Sequence, residues 1–322
     1  MVIFLIINIL FSPFIEKWYL DKGTGGPYGR ILVCDSDRDS RNELIFGYGE
    51  SLQDKIVIYE LYPDSIFYLE AIIDTMSNEA WDVGDFDNDG KFDLVLSGDF
   101  GLPVVGPQIY ESPDSFSYPT EEVWRDTVGP ALVLPICAFD IDQDGISEIV
   151  KNIASPYGDL GIYESVGDNQ YDLIFAEDPD TTGNDAPAAT IAFGDFDMDG
   201  KNEFVLSGGN EPYWIYECIG DNNYEKVDEG QLPTSNIRDC FAVPDADGDG
   251  KMEFVVKGFT FPDGKFQVFI FEAIGDNTYE IIDTLIFTGF SYSYGGGYSA
   301  SGDVDGDGIP EIALEGSYRV YM

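Results

Sequence analysis

AFGDFDMDGKNEFVLSGG, residues Ala192 to Gly209, places Asp195, Asp197 and Asp199 on alternate residues, then Gly200, then an acid at Glu203. Carboxylates at that spacing describe a loop that wraps its oxygens around one hard cation, and Ca²⁺ is the ion such a donor set suits. Gly200 stands where the turn needs a positive φ. The runs on either side, Thr190 to Gly194 and Glu203 to Leu206, are short and apolar, so the loop connects two strands.

One such loop is more often a solvated turn than a metal site. This chain writes D-x-D-x-D-G-x-x-[DE] five times, at Asp85 to Asp93, Asp140 to Glu148, Asp195 to Glu203, Asp245 to Glu253 and Asp303 to Glu311. An imperfect copy runs from Asp35 to Glu43, and successive loops start 50, 55, 55, 50 and 58 residues apart. Six copies in register leave the solvated-turn reading little room.

A second element travels with each loop. Ile58-Tyr59-Glu60, Ile109-Tyr110-Glu111, Ile162-Tyr163-Glu164, Ile215-Tyr216-Glu217 and Ile270-Phe271-Glu272 follow at similar distances, and Val320-Tyr321-Met322 fills the sixth slot. Three of these lead into Gly-Asp-Asn turns at Gly167, Gly220 and Gly275, each followed by an aromatic at Tyr171, Tyr224 or Tyr279. Turn residues between aromatic and β-branched runs are hairpin chemistry. In the repeat around Asp195 the strands are expected at 190–194, 203–206, 213–218 and 224–227. No stretch holds a helical period. Four strands per repeat and a period near 50 are the mark of a β-propeller blade, so the expected fold is all-β, a six-bladed β-propeller of four-stranded blades.

The last repeat stops at its third strand. Phe14-Ile15-Glu16-Lys17-Trp18 lies 21 residues before Asp35, the same distance that separates Tyr224-Glu225-Lys226-Val227 from Asp245. An N-terminal strand from Phe14 to Leu20 is therefore expected to complete the last blade beside Tyr318 to Tyr321 and leave no long free edge.

With "VGDFDNDGKFDLVLSG" (Val83 to Gly98) and "GDVDGDGIPEIALEG" (Gly302 to Gly316), the opening stretch resembles the FG-GAP/VCBS repeats of integrin α-subunit heads and of many bacterial secreted or surface proteins. The resemblance covers residues 14–322. The integrin propeller has seven blades, which makes a seven-bladed ring the alternative to six. The family implies side-chain ligands from the first, third, fifth and ninth positions of each loop and a backbone carbonyl from the seventh. The implied sets are Asp85, Asp87, Asp89, Lys91 and Asp93; Asp140, Asp142, Asp144, Ile146 and Glu148; and Asp195, Asp197, Asp199, Lys201 and Glu203. Asp245, Asp247, Asp249, Lys251 and Glu253, then Asp303, Asp305, Asp307, Ile309 and Glu311, complete five. The first loop keeps Asp35, Asp37, Asp39 and Glu43, but Ser40 replaces the glycine, and Arg38 and Arg41 add positive charge, so this site is expected to be the weakest. Five to six Ca²⁺ ions per chain are implied.

Composition agrees. Lys plus Arg number 16 against 61 Asp plus Glu, a formal charge of −45, and six divalent ions would bring it to −33 (−45 + 12). Such a field repels nucleic acid and anionic lipid headgroups, so neither is an expected partner. The chain has no histidine, which excludes Ser-His-Asp and Cys-His catalysis and histidine-ligated zinc. Carboxylate-pair glycosidase chemistry stays formally open. The obvious acid clusters are taken by loops, however, and strand glutamates such as Glu164 and Glu217 read as solvent-facing.

The cysteines Cys34, Cys137, Cys218 and Cys240 do not repeat between blades and read as small buried fillers, with a Cys218 to Cys240 bridge as the alternative. Residues 1–13 open on an apolar run that resembles a signal-peptide core without a basic start, or an extra strand. Trp81, Trp124, Trp214 and the run Phe290 to Tyr298 are the candidate surface for sugars or peptides, against the simpler reading that they pack between sheets. The expected function is a noncatalytic, calcium-binding, secreted or cell-surface interaction module with a protein or carbohydrate ligand and no membrane insertion. A polysaccharide-active enzyme and a structural spacer of a larger surface protein are the alternatives.

Overall fold

The computed structural model describes residues 27–49, 54–64, 66–75, 77–98, 107–126, 133–153, 160–179, 188–208, 212–234, 236–260, 265–287, 299–303, 308–316 and 319–321. Among them every regular element is a strand, and no helix is long and apolar enough to cross a membrane.

The strands follow the repeat. The first sheet is β1 (Pro27–Cys34), β2 (Glu43–Gly49), β3 (Asp54–Leu61) and β4 (Phe67–Asp74), and the second is β5 (Ser77–Gly84), β6 (Asp93–Gly98), β7 (Gln108–Glu111) and β8 (Glu121–Arg125). A single parallel bridge, Gly29 to Ala80, joins their first strands. The third sheet is β9 (Val133–Phe139), β10 (Glu148–Ile153), β11 (Leu160–Gly167) and β12 (Gln170–Glu177). The fourth is β13 (Ala188–Gly194), β14 (Glu203–Gly208), β15 (Pro212–Gly220) and β16 (Asn223–Gln231). The fifth is β17 (Asn236–Pro244), β18 (Met252–Thr260), β19 (Lys265–Gly275) and β20 (Thr278–Phe287). A three-stranded sheet, β21 (Ala300–Gly302), β22 (Glu311–Gly316) and β23 (Arg319–Tyr321), is the sixth. Each is an antiparallel meander in sequence order. The expected closing strand, Phe14 to Leu20, and the leader at 1–13 lie outside the described residues.

The four strands expected around Asp195 are present, and the fourth runs well past its predicted end at Val227. Pairing of β15 with β16 continues from Gly220 opposite Asn223 to Pro212 opposite Gln231. The extension carries Asp228, Glu229 and Gln231, polar residues that a mostly exposed outer strand tolerates. Hydrophobicity alone therefore ended the strand too early.

The chain forms two compact units, residues 1–139 with 146–176, and residues 140–145 with 177–322. Within the first, Ile45, Ile56, Ile58, Ala80, Leu94, Leu96 and Tyr110 form a core between the first two sheets. Within the second, Phe196, Val205, Ile215, Phe254, Phe269 and Phe271 do the same for the fourth and fifth. Phe254 stacks on Phe271 at 4.7 Å and meets Phe196 edge-on at 5.1 Å. Each unit also buries an ion pair, Lys151 with Asp126 in the first and Lys257 with Asp239 in the second.

Two alternatives from the sequence are resolved here. Cys218 and Cys240 are both buried free thiols, so the bridge between them is not formed. Trp81 and Trp214 are core residues rather than a surface platform, and half-buried Trp124 packs against Tyr163 and Tyr171 at 5.4 and 5.3 Å. The run Phe290 to Tyr298 lies outside the described residues.

Candidate metal centre

Each loop leaves one strand at the first aspartate and enters the next at the ninth-position acid. The side chain at the second position anchors it in the core, with Phe86, Ile141 and Phe196 all buried. Where the anchor is phenylalanine the residue before the loop is a glycine, and a Cβ on Gly84 would lie 2.7 Å from the Phe86 ring; Cys34, Phe139 and Pro244 hold that position in the first, third and fifth loops.

The backbone then closes around its own carboxylates. The sixth-position N–H donates to the first aspartate at 3.0 to 3.1 Å in Ser40 to Asp35, Gly90 to Asp85, Gly145 to Asp140, Gly200 to Asp195 and Gly308 to Asp303. The fifth-position N–H donates to the third aspartate, as from Asp199 to Asp197 at 3.2 Å and from Asp249 to Asp247 at 3.1 Å. The ninth-position acid accepts from the second-position N–H, Phe86 to Asp93 at 2.9 Å and Phe196 to Glu203 at 2.7 Å. In the first four loops the chain takes positive φ at the fourth and sixth positions, for example Met198 at 64° and Gly200 at 94°, and in the fifth Asp245 at 57° joins Gly248 and Gly250.

These bonds use one oxygen of the first and ninth acids and leave the other. Asp35 Oδ1, Asp85 Oδ1, Asp195 Oδ1 and Asp245 Oδ1 are buried without a hydrogen-bond partner, and so are Glu43 Oε1, Asp93 Oδ1, Glu203 Oε1 and Glu253 Oε1. Buried polar atoms are nearly always bonded, so a repeated pair of orphan carboxylate oxygens marks a place for a cation. In the first, fourth and fifth loops the four acids converge with ligand atoms within 4.8 Å of one another. The second loop repeats their bonds. In the third, Asp140, Asp142 and Asp144 belong to the second unit and Glu148 opens β10 in the first. In the sixth, Asp303 and Ile309 are exposed and Glu311 half-buried, while Asp305 and Asp307 lie outside the described residues.

The electrostatics fit the same reading. Burial, followed by repulsion from the loop's other carboxylates, pushes Asp93 and Glu203 up to about 8 and Glu43 to about 7. An acid cluster without a counter-charge holds protons that a divalent ion would displace.

The first loop departs less than its sequence implies. Ser40 adopts φ of 72° and Arg38 of 59°, the backbone of the other copies. Arg41 stands at the seventh position and pairs with Asp39 and Glu60, as Lys91 does with Asp89 at 2.7 Å and Glu111 at 2.6 Å. Lys201 pairs with Asp199 and Glu217, and Lys251 with Asp249 and Glu272. Arg38 lies over the Phe92 ring at 5.3 Å. The remaining departure is the cost of holding serine at positive φ, about 1 kcal/mol.

The strand glutamates are corrected by the same finding. Glu60, Glu111, Glu164, Glu217 and Glu272 are buried, not solvent-facing. Four of them receive the seventh-position Arg41, Lys91, Lys201 or Lys251. The signal was available in the sequence, since both positions recur in register.

The Gly-Asp-Asn turns also belong here. The Asn169 N–H donates to Asp87 Oδ2 at 2.7 Å, Asn222 N–H to Asp142 Oδ2 at 2.8 Å, and Asn277 N–H to Asp197 Oδ2 at 2.7 Å. The side-chain amides of Asn169 and Asn277 donate to Glu111 and Glu217 at 3.1 and 2.7 Å.

The family model of the FG-GAP-like repeat matches residues 195–256, from the fourth loop into β18. The crystal structure of the WD40 domain from Toxoplasma gondii coronin is similar, with a TM-score of 0.52 at 10% identity, covering 91% of this chain and 70% of that one. At that identity the likeness speaks for fold alone. No curated protein matches the chain in sequence. The protein has the β-propeller fold with an FG-GAP-like repeat, and the six antiparallel meanders among the described residues are consistent with six blades.

Proposed function

We propose that this propeller is a noncatalytic interaction module whose loops bind Ca²⁺, and that it works outside the cell, secreted or on the cell surface, on a protein or carbohydrate ligand. The observation that carries the reading is the orphan pair of buried carboxylate oxygens repeated in the first, second, fourth and fifth loops. In the fourth loop Asp195, Asp197, Asp199 and Glu203 would hold the ion, with matching residues in the others. Bound calcium would supply positive charge where the fold has gathered buried carboxylates. The FG-GAP-like repeat favours an interaction module over a catalyst, and the acidic surface favours an ion-rich setting. Metal analysis after dialysis in millimolar calcium should return at least five ions per chain, and glycan and protein arrays run with and without calcium would identify the ligand class. Two ions or fewer would overturn the calcium reading.

Single loops make the reading sharper. Asp197→Ala should bind one ion fewer than the parent, and an unchanged count would remove that loop from the set. Ser40→Gly should raise stability by about 0.5 to 1 kcal/mol, because glycine takes the observed φ without strain. A melting temperature unmoved or lowered by Ser40→Gly would show that the serine is not strained.

The pH dependence follows from the buried acids. Glu203 rises from its ordinary 4.5 to about 8, so between those values the ion-free folded chain binds more protons than the unfolded one. Ion-free stability therefore increases as pH falls through that window. With excess calcium the order reverses, because protons compete with the ion for the same oxygens. Denaturant unfolding at several pH values, with chelator and with calcium, should give slopes of opposite sign; slopes of the same sign would count against the loops as cation sites.

A further inference from the structure

We propose that the cation sites of the second and fourth loops are each built by two consecutive blades, the loop of one supplying the carboxylates and the Gly-Asp-Asn turn of the next closing over them. This rests on the calcium reading above and adds residues to it.

The contact recurs with the same chemistry in both units. Asn277, in the turn between β19 and β20 of the fifth sheet, reaches the loop that joins β13 to β14 in the fourth. Its backbone N–H holds Asp197 Oδ2 at 2.7 Å, while Asp197 Oδ1 is held from within its own loop by the Asp199 N–H at 3.2 Å. The third-position carboxylate is thus pinned from two blades. The Asn277 side-chain amide holds Glu217 Oε2 at 2.7 Å, and Lys201 joins Glu217 to Asp199. In the first unit, Asn169 repeats both bonds on Asp87 and Glu111, with Lys91 joining Glu111 to Asp89.

The second observation is on the turn itself. Asn169 Oδ1 and Asn277 Oδ1 are buried without a hydrogen-bond partner, and so are the hydroxyls of Tyr171 and Tyr279, two residues further along. The Tyr279 side chain is 7% exposed, and the charges that bear on its hydroxyl are Glu203 and Asp197 of the preceding blade. Tyr171, 6% exposed, stands in the same way to Asp93 and Asp87. Unsatisfied oxygens thus lie on the turn as well as on the loop whose third aspartate it holds. A cation held by the loop acids would bring bound waters able to donate to the asparagine carbonyl and the tyrosine oxygen.

Asn277 is a positioning residue in this scheme, and its positive φ of 52° supplies the variant that tests it. Asn277→Gly keeps the turn and its backbone N–H and removes only the side chain. Outer partners of metal ligands commonly govern affinity by 10- to 100-fold. Calcium titration against a chromophoric chelator should show the parent ion count, with one site weakened by about tenfold or more. The melting temperature in excess chelator should equal the parent's. Asn169→Gly does the same for the second loop and serves as the independent copy if one variant folds poorly. An affinity profile for both variants identical to the parent's, while Asp197→Ala loses an ion, would overturn the two-blade site and leave the loop site intact. A parent that binds no calcium would overturn both, recognisable because Asp197→Ala would then match it.

Discussion

Excess chelator should lower the melting temperature of this protein by on the order of ten degrees or more. Extracellular calcium modules bind at roughly 10⁻⁴ to 10⁻³ M. At free calcium about ten times the dissociation constant each site adds about 1.4 kcal/mol, so five independent sites add about 7 kcal/mol. That is of the size of a whole domain's net stability, because folding leaves only about 5 to 15 kcal/mol after opposing terms cancel. The loops explain why the effect is large. Their buried acids are pressed together by the fold, with Asp93 and Glu203 held near 8 by burial and mutual repulsion, so removal of the ion costs its binding energy and restores the repulsion. Scanning calorimetry with chelator and with millimolar calcium measures the shift. An unchanged transition would show that calcium does not neutralise these oxygens.

Asp239→Ala should destabilise the second unit by about 3 to 5 kcal/mol even in saturating calcium. Lys257 is 0% exposed and Asp239 2%. The ammonium lies 3.2 Å from Asp239 and donates to Ser299 Oγ at 2.7 Å, and the Ser299 N–H donates to the same aspartate. Removal of the carboxylate takes from this buried cation the acid 3.2 Å from it. Replacing both charges, Asp239→Leu with Lys257→Met, should be far milder, since an apolar pair has no desolvation cost to recover. Urea unfolding with calcium present separates this from the loop sites. A single variant within about 1 kcal/mol of the parent, or a double variant worse than the single one, would show that the pair is not an isolated buried charge.

The parts of the fold that sequence disclosed are those fixed by short-range geometry. Alternate carboxylates with a glycine at the sixth position dictate their own loop, and the Asn-containing turns dictate hairpins, so the strands around Asp195 were placed to within a few residues. What stayed hidden depended on partners far along the chain. Glu217 looked solvent-facing because a charged residue in a strand usually is; only its pairing with Lys201, and with Asn277 60 residues away, explains its burial. Asn277 itself read as a turn former, and nothing local shows that its amide meets Asp197 at a separation of 80 residues. Arg41 looked like an intrusion into the first loop until it was seen to stand where lysine stands in three others. The tryptophans invited a ligand surface by composition, and packing put Trp81 and Trp214 in the core.

The bond from Asn277 to Asp197 also bears on how such an array can be lengthened, shortened or cut. A repeat excised from loop to loop, about 55 residues, takes its carboxylates with it and leaves the asparagine that pins them in the next copy. Tandem duplication in the interior preserves every partnership, because each new loop still has a turn downstream. Truncation after β16 would spare all four acids of the Asp195 loop and orphan it nonetheless. The inherited module is therefore offset from the visible repeat, and a fragment for expression should run on to the turn of the following blade, 80 residues past the aspartate that the turn holds.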